Sequence, residues 1–158
     1  MTEGNIKYRM ANDPDIPQMA CLRAEQWGTE DYWEERISGY IRGDKNPQQS
    51  LAPRIIYSAT KDEAVIGFIA GHLTKRFGCE GELQWINVAP DYRGLGIASR
   101  LLQQLTTWFI SQSALYVCVN CAPDNAIGQK FYRQHGAETL NEHWLIWKDI
   151  GVTLSKHS

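Results

Sequence analysis

Apolar residues fall into runs whose period changes along the chain, and each change marks an element. Residues 5–10 alternate as a short strand does. Asp13-Pro14 then offers an N-cap with proline at the first helical position. Ile16, Met19, Ala20 and Trp27 give that helix one apolar face as far as its end. Trp33, Ile37 and Ile41 recur at i, i+4 and i+8, which predicts a second helix from Thr29 to about Arg42. Residues 43–53 are polar and turn-rich and read as a loop. Arg54 to Thr60 and Ala64 to Lys75 are β-branched, apolar runs joined by Lys61-Asp62-Glu63, hence a hairpin. Residues 76–81 turn the chain into a strand from Glu82 to Ala89.

A helix from Gly96 to about Gln112 directs Ile97, Leu101, Leu105, Trp108 and Phe109 towards the sheet. A strand over 114–119, a helix over 125–135 and a terminal pair of strands complete the order. That order predicts an α/β (α+β) mixed sheet, with antiparallel early strands and helices on its faces. No repeat, low-complexity tract or linker interrupts it, so residues 1–158 are read as one domain.

Composition narrows the function classes. The chain has 158 residues, 43% of them hydrophobic, and six tryptophans, which indicates a folded globule. A net charge of −2 argues against a general nucleic-acid binder. No apolar run reaches the length of a membrane span. The start, Met1-Thr-Glu-Gly-Asn5, lacks the basic and apolar regions of a signal peptide, so a cytoplasmic location is expected.

Cys118 and Cys121 form a C-x-x-C, a spacing that zinc and redox sites use. Here the pair spans the end of a strand, where an odd offset sends the side chains to opposite faces. His72, His135, His143 and His157 are scattered singly. Buried reduced thiols, with no metal, are the expected outcome.

The richest stretch runs from Glu82 to Arg100. A strand stops at Pro90, a basic turn with Gly94 and Gly96 follows, and a helix begins. The unpaired N–H groups at a helix start, with the positive dipole end, form an anion cradle. Gly94 and Gly96 remove the side chains that would keep a phosphate from those amides. A Walker A loop would need Gly-Lys-Ser/Thr, and this turn ends Gly96-Ile97-Ala98-Ser99. A dinucleotide fingerprint would need an acid about 20 residues on, and the region around Ser113 offers none. The pattern Arg/Gln-x-x-Gly-x-Gly/Ala is met by Arg93, Gly96 and Ala98.

That loop resembles the acetyl-CoA loop of the GNAT N-acetyltransferase superfamily. Its flanks agree: Glu82 to Pro90 looks like the family's fourth strand, and Asn125 to Ala137, with Phe131-Tyr132 and a closing glycine, is similar to its second motif. Trp144 to Ile150 looks like its last strand. The resemblance implies a GNAT fold with splayed central strands and acetyl-CoA as co-substrate. Arg93, Gly94, Leu95 and Gly96, with Ile97, Ala98 and Ser99, would hold the pyrophosphate. Asn87, Val88 and Ala89 would meet the pantetheine arm, as would Asn125. A backbone N–H near Val88 could then serve as an oxyanion donor.

Tyr132 matches the family tyrosine that protonates the departing sulfur. A lysine-like amine is neutral in only about one molecule in 2,500 at pH 7, so a base is valuable. Glu82 is the first candidate and His72, on the neighbouring strand, the second. Asn125 is also placed to cap its helix. Glu25, Glu30, Asp31, Glu34 and Glu35 lie among Trp27, Tyr32 and Trp33, a mixture that could attract a cationic acceptor or simply solvate a helix. The implied acceptor is a small-molecule or peptide amine, without nucleic acid or membrane, and a homodimer is left open. A protein amine as acceptor, or a non-catalytic acetyl-CoA-binding regulatory domain, are the alternatives.

Overall fold

The computed structural model describes residues 5–155; the chain start read for a leader and His157 lie outside them. The strands are β1 (Ile6–Met10), β2 (Ser50–Lys61), β3 (Ala64–Thr74), β4 (Gly81–Val88), β5 (Val117–Asn120), β6 (Glu138–Asn141) and β7 (Trp144–Trp147). They form one sheet in the order β1-β2-β3-β4-β5-β7-β6. Every neighbouring pair is antiparallel except β4–β5, which is parallel. The helices are α1 (Ile16–Ala24), α2 (Glu30–Arg42), α3 (Ile97–Ser111), α4 (Ala126–Gln134) and α5 (Val152–Ser155). This is the mixed sheet with antiparallel early strands that the residue pattern predicts.

Each face of the sheet is covered. Met19 and Ala20 of α1 and Trp33, Ile37 and Tyr40 of α2 bury against Ile56, Phe68, Ala70 and Trp85. On the other face, Leu101, Leu105 and Phe109 of α3 meet Ile69, Leu83 and Trp147. Covered on both sides, β3 is buried almost throughout rather than alternating. Gly71 lets α3 lie close, since a Cβ there would sit 2.9 Å from Leu105 Cδ1. Leu105 is fully buried. Leu105→Ala should therefore cost about 2–5 kcal/mol by emptying the α3–sheet contact. An unfolding free energy from urea titration changed by less than about 1 kcal/mol would mean that α3 collapses into the space.

The hairpin turn is one residue shorter than the pattern suggests. Asp62 and Glu63 both have positive φ, 51° and 68°, the geometry of a two-residue turn that follows the strand twist. Four other boundaries move. The first helix is capped at Asn12, and residues 13–15 form a tight turn before α1. Arg9 grips Asp15 with two bonds of 2.7 and 2.9 Å, and Asp15 accepts the Asn12 N–H at 3.0 Å. That helix stops at Ala24, so Trp27 is 56% exposed rather than part of its apolar face. Strand β2 begins at Ser50, inside the expected loop, because a register shift between Leu51 and Arg54 absorbs Ala52 and Pro53. Strand β5 starts late because the Glu80 carboxylate takes the Leu115 and Tyr116 N–H groups at 2.8 and 3.1 Å.

Cys118 packs with Cys79 and Ile146, while Cys121 belongs to the core under α3, so the C-x-x-C does point to opposite faces. Burial pushes both thiols up from their ordinary range. Among the described residues no cluster of three or more His, Cys, Asp or Glu is arranged to hold a metal, and no helix is long and apolar enough to cross a membrane.

Candidate active site

Strand β4 pairs with β5 only from Gly81 to Leu83 and then runs on to Val88 against β3 alone. The parting begins at an irregularity in β4. Opposite β3, Ala70 pairs with Trp85 but Gly71 with Leu83, so Gln84 is an extra residue. An inserted residue bends and twists its strand, here just past the last β4–β5 pair. The edge so exposed keeps its hydrogen-bonding groups. Ala89 N–H bonds Ile66 C=O at 2.8 Å. Ladder alternation then sends the N–H groups of Ile86 and Val88 away from β3, into the opening. The donor expected near Val88 is thus aimed where a ligand carbonyl could reach it.

A cavity of about 930 Å³ fills this opening and continues under α1 and α2. The glycine turn closes one end. Gly94 and Gly96 have φ of 81° and 83°, a left-handed conformation that costs a side-chain-bearing residue about 1–2 kcal/mol. A Cβ on Gly94 would meet nothing within 4 Å, so backbone conformation, not crowding within the protein, selects glycine there. Gly96 is the N-cap of α3 and has no side chain to bond the first N–H groups, which stay available to an anion. Arg93 Nε donates to Val88 C=O at 3.1 Å and ties the turn to the strand end. Leu95 packs against the core under α3, and Ile97 is buried in it. Ala98 lines the cavity beside the turn. Ser99 has a second task. Its Oγ lies 3.0 Å from His135 Nε2, while His135 Nδ1 lies 2.8 Å from Phe131 C=O. The carbonyl can only accept, so Nδ1 carries a proton, and in the neutral ring the serine hydroxyl donates to Nε2. This clamp joins the start of α3 to the end of α4.

Across the opening stands α4. Asn125 caps it, its Oδ1 accepting the Gly128 N–H at 3.0 Å, and it also lines the cavity. Tyr132 enters the cavity from the same helix, its ring edge-on to Trp147. Burial pushes its phenol well above the ordinary value of about 10, partly opposed by the Arg23 charge.

The far end of the cavity holds Glu82, which is buried. Arg76 Nε donates to its Oε1 at 3.0 Å and stacks over Trp144. His72 Nε2 lies 3.6 Å from the same oxygen, while His72 Nδ1 is 2.9 Å from Tyr40 Oη. Tyr40, His72 and Glu82 line up from α2 through β3 to β4, with a hydrogen bond between Tyr40 and His72 but none made by His72 Nε2. Both contacts with Glu82 use Oε1.

Of the predicted set, the structure gathers Glu82, Asn87, Val88, Arg93, Gly94, residues 96–99, Asn125 and Tyr132 around one opening, while Ala89 packs against the core under α1 and α2 and Leu95 against that under α3. Asn87 turns its side chain to the α1 side, where it accepts from Arg23 at 3.0 Å. The acids of α2 are not part of the cavity lining. Glu30, Asp31 and Glu35 are exposed and Glu34 half-buried, Glu25 at the end of α1 is exposed too, and the wall is formed instead by Arg23, Arg36, Trp27, Tyr32 and Trp33. Sequence reasoning missed Arg23, Arg76 and Tyr40. Arg76 follows the strand end and reads as an ordinary turn cation, and Tyr40 reads as helix core. The only advance signal for Arg23 was a cation in the last turn of an otherwise apolar helix.

The sequence model of the acetyltransferase (GNAT) family matches residues 14–137, which include both the glycine turn and α4. The chain belongs to the GNAT acetyltransferase family. Solved structures agree in fold. The PaiA N-acetyltransferase of Thermoplasma acidophilum in complex with coenzyme A has a TM-score of 0.66 at 17% identity, covering 91% of this chain and 98% of that one. The aminoglycoside N-acetyltransferase AAC(6')-Iy in complex with coenzyme A gives 0.71 at 20% identity, covering 86% and 90%. Ard1 from Thermoplasma volcanium gives 0.70 at 19% identity, covering 92% and 97%. No curated protein sequence matches the chain. For this GNAT chain the parted strands, the uncapped α3 start and the long cavity fit an extended ligand with phosphates at one end.

Proposed function

We propose that this protein transfers an acetyl group from acetyl-CoA directly to a primary amine within a ternary complex. The observation that carries the reading is the parting of β4 from β5, with the Ile86 and Val88 N–H groups turned into a cavity that runs from the glycine turn to Glu82. When bound, acetyl-CoA supplies an acyl group on a thioester whose leaving group is a thiolate. Residues 93–99 would hold its pyrophosphate through the α3 N–H groups, and Asn87 to Ala89 and Asn125 would flank its arm. The Val88 N–H would then donate to the carbonyl oxygen as negative charge develops there. Tyr132, kept protonated by burial, would deliver a proton to the sulfur. Coenzyme A in the complexes of PaiA and AAC(6')-Iy supports the choice of donor. Isothermal titration with acetyl-CoA, followed by thiol release against an amine panel, tests the proposal. Binding without transfer to any amine would favour the regulatory alternative.

Glu82 would accept the amine's proton, directly or through water, with His72 and Tyr40 behind it. Its buried position in the cavity supports this role. The pair with Arg76 supports a positioning role instead, and pH separates the two. A base matters most at low pH, where about one lysine-like amine in 2,500 is neutral at pH 7. Glu82→Gln should lower turnover by about 10²- to 10³-fold near pH 7. Turnover should recover as pH approaches the amine's own pKa. A deficit that stays constant from about pH 6 to 10 would assign Glu82 to positioning.

A further inference from the structure

The wall of the cavity under α1 and α2 carries charge that the transfer chemistry leaves unused. The Arg23 guanidinium lies 4.4 Å from the Trp33 ring centroid and 5.9 Å from that of Trp85. Its Nη1 donates to Asn87, but its Nε is buried without a partner. Arg36, on the neighbouring helix, lines the same cavity, and its charge reaches Arg23. Among the described residues no carboxylate pairs with either arginine. Burial, with Arg36 adding to it, pulls the Arg23 pKa down to about 10. Two cations on one cavity wall, one of them desolvated between indole rings, gain most from an entering anion.

We propose that the acceptor is a small amine that also carries an oxyanion group, which docks against Arg23 and Arg36 while the amine points towards Glu82. This rests on the acetyl-transfer reading above and names the substrate class of that site. The polarity along the cavity agrees. Gln84 Oε1, two residues from Glu82 on β4, is buried without a partner and suits an amine N–H. A carboxylate and a phosphate both match a guanidinium fork, so the shared chemistry is the oxyanion. The reading also excludes the cation-seeking pocket suggested by the acids of α2, because those of its acids that are exposed face solvent and none lines the cavity.

The test compares ω-amino acids with their carboxamides, in chains long enough that the amine pKa is the same in both. Aminoalkyl phosphates and the parent amino alcohols form a second arm that separates phosphate from carboxylate. In the wild type, kcat/KM should favour the anionic member of at least one arm by about 10- to 100-fold, as for one charge-assisted contact. That ratio should fall towards one in Arg36→Gln and in Arg23→Gln, with coenzyme A affinity and a cooperative melt reporting intact folding. Equal rates for charged and uncharged members in the wild type, which needs no variant, would overturn the inference and leave the transferase reading standing. So would a ratio that survives in both variants, or an Arg23→Gln protein that loses coenzyme A affinity but keeps its preference. Transfer to no amine of any charge, with coenzyme A bound normally, would sink both.

Discussion

Gly96→Glu should lose at least about 100-fold in coenzyme A affinity, because it sets a carboxylate where the pyrophosphate is proposed to lie. Like charges brought together at a dipole end cost several kcal/mol, and about 2.8 kcal/mol already makes that factor. Part of any loss will come from the backbone. Gly96 has a φ of 83°, so every side-chain-bearing residue is strained there. Gly96→Ala shares that strain without the charge, and the difference between the two variants isolates the electrostatic part. Calorimetry on both, with thermal melts to register lost stability, makes the comparison. Undiminished coenzyme A binding in Gly96→Glu would move the phosphate site away from the start of α3.

Tyr132→Phe should lower turnover by about 10- to 1,000-fold and leave acetyl-CoA affinity nearly intact, as for loss of one proton donor. The ring contacts with Trp147 and Phe131 survive the change, so the fold should too. A thiol leaves tolerably without help, its pKa being about 8.5, which is why transfer slows rather than stops. Burial raises the Tyr132 phenol, so the wild type should show no loss of the donor up to about pH 10. The sign for stability follows from the same shift. Below about pH 10 the phenol is protonated in both states and contributes nothing to the pH dependence. Above it, the unfolded chain ionises first and stability falls. Unchanged turnover in Tyr132→Phe, with chemistry known to limit the rate, would leave Tyr132 a packing residue.

Much of this architecture was legible along the chain. The apolar period of α3 and the β-branched hairpin survive in the structure because each buries its pattern locally. Leu101 and Leu105 can lie on no other face of their helix, and the two turn residues bring β2 and β3 back to back. The turn from Arg93 to Gly96 was equally readable, since positive φ and an uncapped helix start are properties of a few consecutive residues. Two boundaries failed where a side chain outside the element competed for the backbone. Glu80 delays β5, and Arg9 with Asp15 resets the start of α1.

The sequence by itself determined the main order of strands and helices and the glycine turn that opens α3, because apolar period and glycine are local facts, while the candidate donor and base came from the resemblance of the motifs to the GNAT family. The extra residue at Gln84 that parts β4 from β5 could not be read in advance, since it exists only relative to the register of β3. Nor could the character of the acceptor wall. Acids crowd the sequence of α2, yet helix phase turns most of them to water. The cavity is left to Arg23 and Arg36, two residues whose joint charge becomes meaningful only when the helices pack side by side.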